Sequence, residues 1–260
     1  MSNGKEDFRV DSLEVQIYNC EAELALSTAT IVQQYLQQIL KQKQTATVLF
    51  ATGNSQLKFL DALAKLDNLD NIDWSRVICF HLDEYLGISD NHPSSFRNYL
   101  HKRIEKPLSP QKFHYIEGDT LQPLKECDRY SKLLTAQDID LCMLGIGANG
   151  HLAFNEPTVA DFDDAYKVKL VKLDSVNHQQ QVNQGHFPNL ESVPKYAFTL
   201  TIPMICAAKK IICLAPGKGK AKLVKQLLEG KITEEFPASI LRKQPQANLL
   251  LDADAASLIQ

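Results

Sequence analysis

A mainly parallel α/β sheet with helices on both faces, in a single domain, is the architecture that this 260-residue sequence predicts. Short apolar runs alternate with segments of helical period, as expected when crossover helices bury both faces of a sheet. Turns bearing glycines or acids follow several of those runs directly, where doubly wound sheets keep their ligands. The length agrees, because roughly 150 residues per domain gives between one and two, and α/β chains of this size often form one.

The elements follow in order. LEVQIY (13–18) alternates and reads as a strand. Asn19 is the expected cap of a helix whose apolar positions include Leu24, Ile31, Val32, Leu36 and Leu40. ATVLFA (46–51) is a buried strand that runs into a turn at Thr52-Gly53-Asn54. Leu57, Leu60, Leu63 and Leu66 then mark a second helix. RVICFHL (76–82) is a strand, and residues 94–104 and 121–134 look helical, the first with Ser94 as its cap. DIDLCMLGIG (138–147) is a strand ending in glycines. FTLTI (198–202), KKIICLAP (209–216), a helix over 219–229 and ANLLLD (247–252) complete the pattern. Residues 158–193 are polar and weakly periodic, which marks a functional loop or lid rather than an idle connection.

Composition narrows the function. Hydrophobic residues make up 44% and charged residues 23%, and 28 Lys and Arg against 31 Asp and Glu leave a net charge of −3. That balance argues against nucleic acid as a partner and excludes collagen-like, coiled-coil and disordered chains. Six scattered cysteines without a CxxC read as small buried hydrophobes in a reducing compartment, not as a disulfide framework or a metal site. No apolar h-region opens the sequence, and no run nears the roughly 18 apolar residues of a membrane span. The expectation is a cytoplasmic protein.

Three strand ends carry chemistry. In Thr52-Gly53-Asn54-Ser55 a strand meets a glycine turn and then a helix, so backbone N–H groups and the helix dipole suit an anion such as phosphate. A plain tight turn explains the same residues equally well. In His81-Leu82-Asp83-Glu84-Tyr85 two carboxylates follow an apolar strand. Adjacent side chains on an extended segment point opposite ways, so only one of the two serves as a partly desolvated general base. In Gly145-Ile146-Gly147-Ala148-Asn149-Gly150-His151 the glycines permit close approach of a ligand, and Glu156, five residues beyond His151, could reach the imidazole. The glycine spacing fits GxGxxG, yet no acidic residue follows a strand about 20 residues on, so dinucleotide binding is disfavoured.

FHLDEY and LGIGANGHLAFNEP, together with ATGNS and VPKYAFTLTI, resemble the glucosamine-6-phosphate deaminase/isomerase family over about residues 13–252. The related 6-phosphogluconolactonases share that fold but usually carry DER and a GHTASLFP-like segment. Tyr85 and Asn155-Glu156-Pro157 side with the deaminases. The resemblance implies a Rossmann-like fold, no metal and no organic cofactor, and an amino-sugar phosphate as substrate. It implies that Asp83 is the base moving a proton between C2 and C1, that His151 opens the sugar ring and that Glu156 supports that histidine. Thr52, Gly53, Asn54, Ser55, Gly147 and Lys220 fall at binding positions, and residues 158–193 at a mobile lid. Monomers and hexamers both occur in the family, so a homo-oligomer is compatible with it. Two positions depart from the pattern. Asn149 stands where the family has Asp; it can orient a hydroxyl or the histidine but cannot act as a base. The lid reads Asn183-Gln184-Gly185-His186-Phe187, without the usual phosphate-binding Arg, which leaves Lys218, Lys220 or His186 to compensate. A lactonase, or a sugar-phosphate-binding protein without chemistry, are the alternatives.

Overall fold

The structure, a computed structural model, describes residues 6–66, 72–183 and 185–259. Gln184, within the expected lid, and residues 1–5 lie outside them. Along the chain come β1 (Glu6–Val10), β2 (Leu13–Tyr18), α1 (Glu21–Gln42), β3 (Ala46–Phe50), α2 (Leu57–Leu66), β4 (Val77–His81) and β5 (Asp83–Tyr85). Next, α3 (Phe96–Leu100) passes through a π turn at His101–Glu105 into α4 (Lys106–Leu108), and β6 (Lys112–His114), α5 (Pro123–Thr135) and β7 (Leu141–Gly145) follow. The last third holds β8 (Val168–Lys172), α6 (Ser175–Asn183), β9 (Tyr196–Leu200), α7 (Ile202–Cys206), β10 (Ile211–Leu214), α8 (Ala221–Glu229) and β11 (Ala247–Asp252).

Eight strands form the main sheet in the order β1-β2-β11-β10-β7-β3-β4-β6, parallel throughout except for the β1–β2 hairpin at one edge. The chain builds outward from β3 through β4 to β6, then returns to β7 and builds the other way through β10 to β11. Strand order therefore reverses between β3 and β7, and the crevice at their carboxyl ends is the switch point where such sheets bind ligands. The predicted parallel α/β architecture is present. Its central strands are buried on both faces: β3, β10 and nearly all of β7 and β11 are inaccessible to solvent.

Several elements differ from the expectation. FTLTI is not a strand of the parallel sheet; β9 forms a second, antiparallel sheet with β5 and β8. A short apolar run does not reveal which sheet will take it. The supposed lid contributes β8 and α6. Ser95, not Ser94, caps α3, its hydroxyl accepting from Asn98 N–H at 3.4 Å, while Ser94 Oγ donates to the His186 carbonyl. Asn19 does not cap α1 either: Cys20 holds that position, and Glu23 accepts from both the backbone and side-chain nitrogens of Asn19. Among the described residues no helix is long and apolar enough to cross a membrane.

His81, at the end of β4, is fully buried; its Nε2 accepts the Ile116 N–H at 2.8 Å. Burial, followed by the Arg97 charge, pushes its pKa down to about 3. The unfolded chain takes up a proton on this histidine below about pH 6.5, so between those values the unfolded state binds more protons and stability is lost as the pH is lowered. Asp83 and Glu84, with raised carboxyl pKa values, act with the opposite sign. The diagnostic is thus a comparison of thermal midpoints: His81→Gln, whose side-chain oxygen can still accept from Ile116, is expected to lose less stability than the native chain between pH 6.5 and 4. Parallel profiles would contradict the buried neutral assignment.

Candidate active site

A cavity of about 220 Å³ opens at the switch point. The β3–α2 turn, Thr52 to Ser55, lines it beside Gly145 at the end of β7 and the Ile146 and Gly147 that follow. Asp83 and Tyr85 of β5, His151, and Lys220 after β10 face the same space, as do Gln181 and His186 from the expected lid. Eight of the ten residues singled out in the sequence are or adjoin this wall, and Asn149 and Glu156 stand behind it.

Gly53, at φ 96°, lets the chain turn from β3 into the α2 start, a conformation side chains with a Cβ rarely adopt. The turn is tied down from two sides. Tyr99 of α3 donates to the Gly53 carbonyl at 2.9 Å, and buried Gln56 donates to Ser55 Oγ (3.1 Å) and to the Leu144 carbonyl (3.2 Å). Lys220 Nζ donates to the Ile146 carbonyl at 2.6 Å, and burial lowers its pKa. An ammonium carries three donors, so two remain for a ligand. Asp252, at the end of β11, holds the Lys220 loop by accepting Gly217 N–H with both oxygens at 3.0 Å. Lys218 is exposed and is not on the cavity wall.

The two adjacent carboxylates do point opposite ways. Glu84 is buried and accepts four hydrogen bonds, from Tyr85 N–H (2.9 Å), Ser95 Oγ (2.8 Å), Phe96 N–H (3.1 Å) and Arg97 N–H (2.9 Å). It thereby binds β5 to the N-terminus of α3, where an anion is stabilised. Asp83 faces the cavity, and burial, then the neighbouring Glu84 charge, hold its carboxyl well above the usual range. A partly desolvated carboxylate of this kind is a stronger base than one in water.

The imidazole of His151 lies against Gly147: a Cβ there would come within 2.0 Å of Nε2. Asn149 Oδ1 sits 2.7 Å from His151 Nδ1 and also accepts the His151 N–H at 3.3 Å. That arrangement makes Nδ1 the donor and leaves the Nε2 lone pair on the cavity side. Burial, then Lys220, lowers the His151 pKa to about 4, against an opposing pull from Asp174. Glu156, fully buried, accepts the Asp174 N–H at 2.8 Å. Asn155 fixes the loop to β9 by donating to the Leu152 (2.9 Å) and Leu200 (2.8 Å) carbonyls. Ala153, on the cavity wall, adopts a left-handed φ of 51°, a strained conformation of the kind that clusters at functional sites. Among the described residues no three His, Cys, Asp or Glu side chains are grouped to hold a metal ion.

Sequence reasoning did not single out Gln56, Ser95, Tyr99 or Asp252, since their roles depend on partners distant in the chain. Glu84 and Tyr85 were visible beside Asp83, but not what they touch.

A sequence profile described as glucosamine-6-phosphate isomerases/6-phosphogluconolactonase matches residues 19–250. The chain belongs to this isomerase/lactonase family. Glucosamine-6-phosphate deaminase 1 of Bacillus subtilis (strain 168) is 37% identical over 223 residues, covering 84% of this chain and 90% of that protein. The glucosamine-6-phosphate deaminase of Oenococcus oeni is 34% identical, covering 95% and 99%. Among solved structures of the family, a monomeric glucosamine-6-phosphate deaminase superimposes with a TM-score of 0.86 at 33% identity, covering 94% and 99%. The 6-phosphogluconolactonase of Thermotoga maritima, at 18% identity and a TM-score of 0.72 over 92% and 98%, shares the family's fold.

Proposed function

We propose that the chain converts glucosamine-6-phosphate to fructose-6-phosphate and ammonia in the cytoplasm. The observation that carries this reading is one cavity, at the switch point, that joins an anion-type turn, a buried carboxylate and a neutral imidazole. The resemblance of the whole chain to deaminases supports it. Six free cysteines suit a reducing compartment.

In this reading the Thr52–Ser55 turn and Lys220 hold the phosphate, a fixed anchor whose binding energy positions the reacting carbons. His151 takes the proton of the sugar's O1 hydroxyl through Nε2 and returns it to the ring oxygen as the C1–O bond breaks. Asp83 removes the C2 proton of the open chain as the substrate's ammonium gives a proton to O1, and then delivers the C2 proton to C1, leaving C2 as an iminium that water hydrolyses to ketone and ammonia. Asn149 fixes the tautomer of His151, and Glu156 holds the segment at Asp174 behind it. Of the groups available to replace a lid arginine, Lys220 and His186 face the cavity and Lys218 does not.

Asn149→Asp would place a carboxylate 2.7 Å from Nδ1. An opposite charge that close raises an imidazole pKa by about 1 unit or more. The acid limb of the kcat/KM profile is expected to move to higher pH by a similar amount. An unmoved limb would remove His151 from the ring-opening step. The function itself is tested by assaying glucosamine-6-phosphate, galactosamine-6-phosphate and 6-phosphogluconolactone side by side. A preference for glucosamine-6-phosphate supports the reading, and turnover of the lactone alone would replace it.

A further inference from the structure

Tyr85 lies one alternation beyond Asp83 on β5, so both side chains project from the same face of the strand. Both line the cavity. Two strand positions span about 6.5–7 Å, so the two side chains can meet different parts of one six-carbon chain. The Tyr85 ring is clamped by Phe96 (centroids 5.0 Å apart), Phe154 (5.2 Å) and the lid's Phe187 (5.4 Å, edge-on). The residue is 1% exposed, and its hydroxyl has no hydrogen-bond partner among the described residues. A buried hydroxyl without a partner costs stability comparable to a lost hydrogen bond. A phenylalanine would fill the same aromatic cluster without that cost. Native buried hydroxyls left in this state call for an explanation.

We infer that the Tyr85 hydroxyl is a substrate-binding group, whose missing partner is an oxygen of the sugar chain whose carbons Asp83 serves. The assignment rests on the proposed sugar-phosphate site. Burial, then the charges of Asp83, Glu84 and Glu156, keep the phenol protonated, so it acts as the donor. Phe187 packs on the Tyr85 ring, and Ser94 Oγ donates to the carbonyl of the adjacent His186. His92 stacks on Phe187, at 5.6 Å. Seating of the lid and orientation of the phenol are thus linked through one aromatic contact. A site built to bond a substrate hydroxyl discriminates strongly against ligands lacking it.

Tyr85→Phe removes one oxygen and tests this directly. The variant is expected to have an equal or higher thermal midpoint without ligand, because the orphaned hydroxyl is gone. Its kcat/KM for glucosamine-6-phosphate and its calorimetric affinity for fructose-6-phosphate are expected to fall by roughly 10-fold or more. A raised midpoint with unchanged kinetics and affinity would overturn the inference, as would a lowered midpoint, which would reveal a protein partner. If the native chain binds fructose-6-phosphate without turning over glucosamine-6-phosphate, the proposed reaction fails, and the affinity of Tyr85→Phe still decides this inference. A native chain that neither binds nor turns over overturns both.

Discussion

Asp83→Asn is expected to lower turnover of glucosamine-6-phosphate by about 10²–10⁴-fold, the usual contribution of a positioned general base. Sugar-phosphate affinity should stay within a few-fold, because the anion turn and Lys220 are untouched. The amide matches the carboxylate in shape, and it removes a buried negative charge that stands beside Glu84. The folded protein should therefore be no less stable than the native one, and a thermal scan separates lost chemistry from lost structure. Neighbouring Glu84 gives the contrast: it accepts four hydrogen bonds at the start of α3, so Glu84→Gln should act through stability and the placement of β5. An Asp83→Asn variant with native kcat would show that another group moves the proton.

Gly147→Ala is expected to damage turnover through the His151 ring. Its Cβ would stand 2.0 Å from Nε2, 2.1 Å from Cε1 and 2.2 Å from Cδ2 of His151, so the imidazole has to leave its position. Swinging away breaks the 2.7 Å bond to Asn149 that sets its tautomer. A catalytic group misplaced by about 1 Å can cost about 10²-fold in rate. The expected result is a fall of that order in kcat with the fold intact by circular dichroism. Gly53→Ala is a useful comparison, since nothing lies within 4 Å of its added Cβ and only the positive φ is strained. Native kcat in Gly147→Ala would mean that the ring is not used where it lies.

The two glycines also show what was legible in the sequence. Both follow apolar strands, and strand ends are where a parallel sheet places its site, so the anion turn, Asp83, Gly147 and His151 could be found from order alone. The parallel strands were legible because burial on both faces leaves continuous apolar runs such as IICL in β10. β8 was not, because VKLVK carries two lysines and lies in a three-stranded antiparallel sheet. α6 has no apolar stripe, and β1 pairs only with β2 at the sheet edge. Within the site, the sequence placed Glu156 within reach of His151, and the structure shows Asn149 bonded to that imidazole and Glu156 bonded to Asp174 N–H. Tyr85, Gln181 and His186 meet across the cavity only through tertiary packing.

The most direct measurement is the stoichiometry of the reaction. Purified protein incubated with glucosamine-6-phosphate should release ammonia and fructose-6-phosphate in equal amounts, with both lost together in Asp83→Asn. Release of neither from the folded native protein, or of ammonia without fructose-6-phosphate, would contradict the assignment of this cavity to coupled isomerisation and deamination.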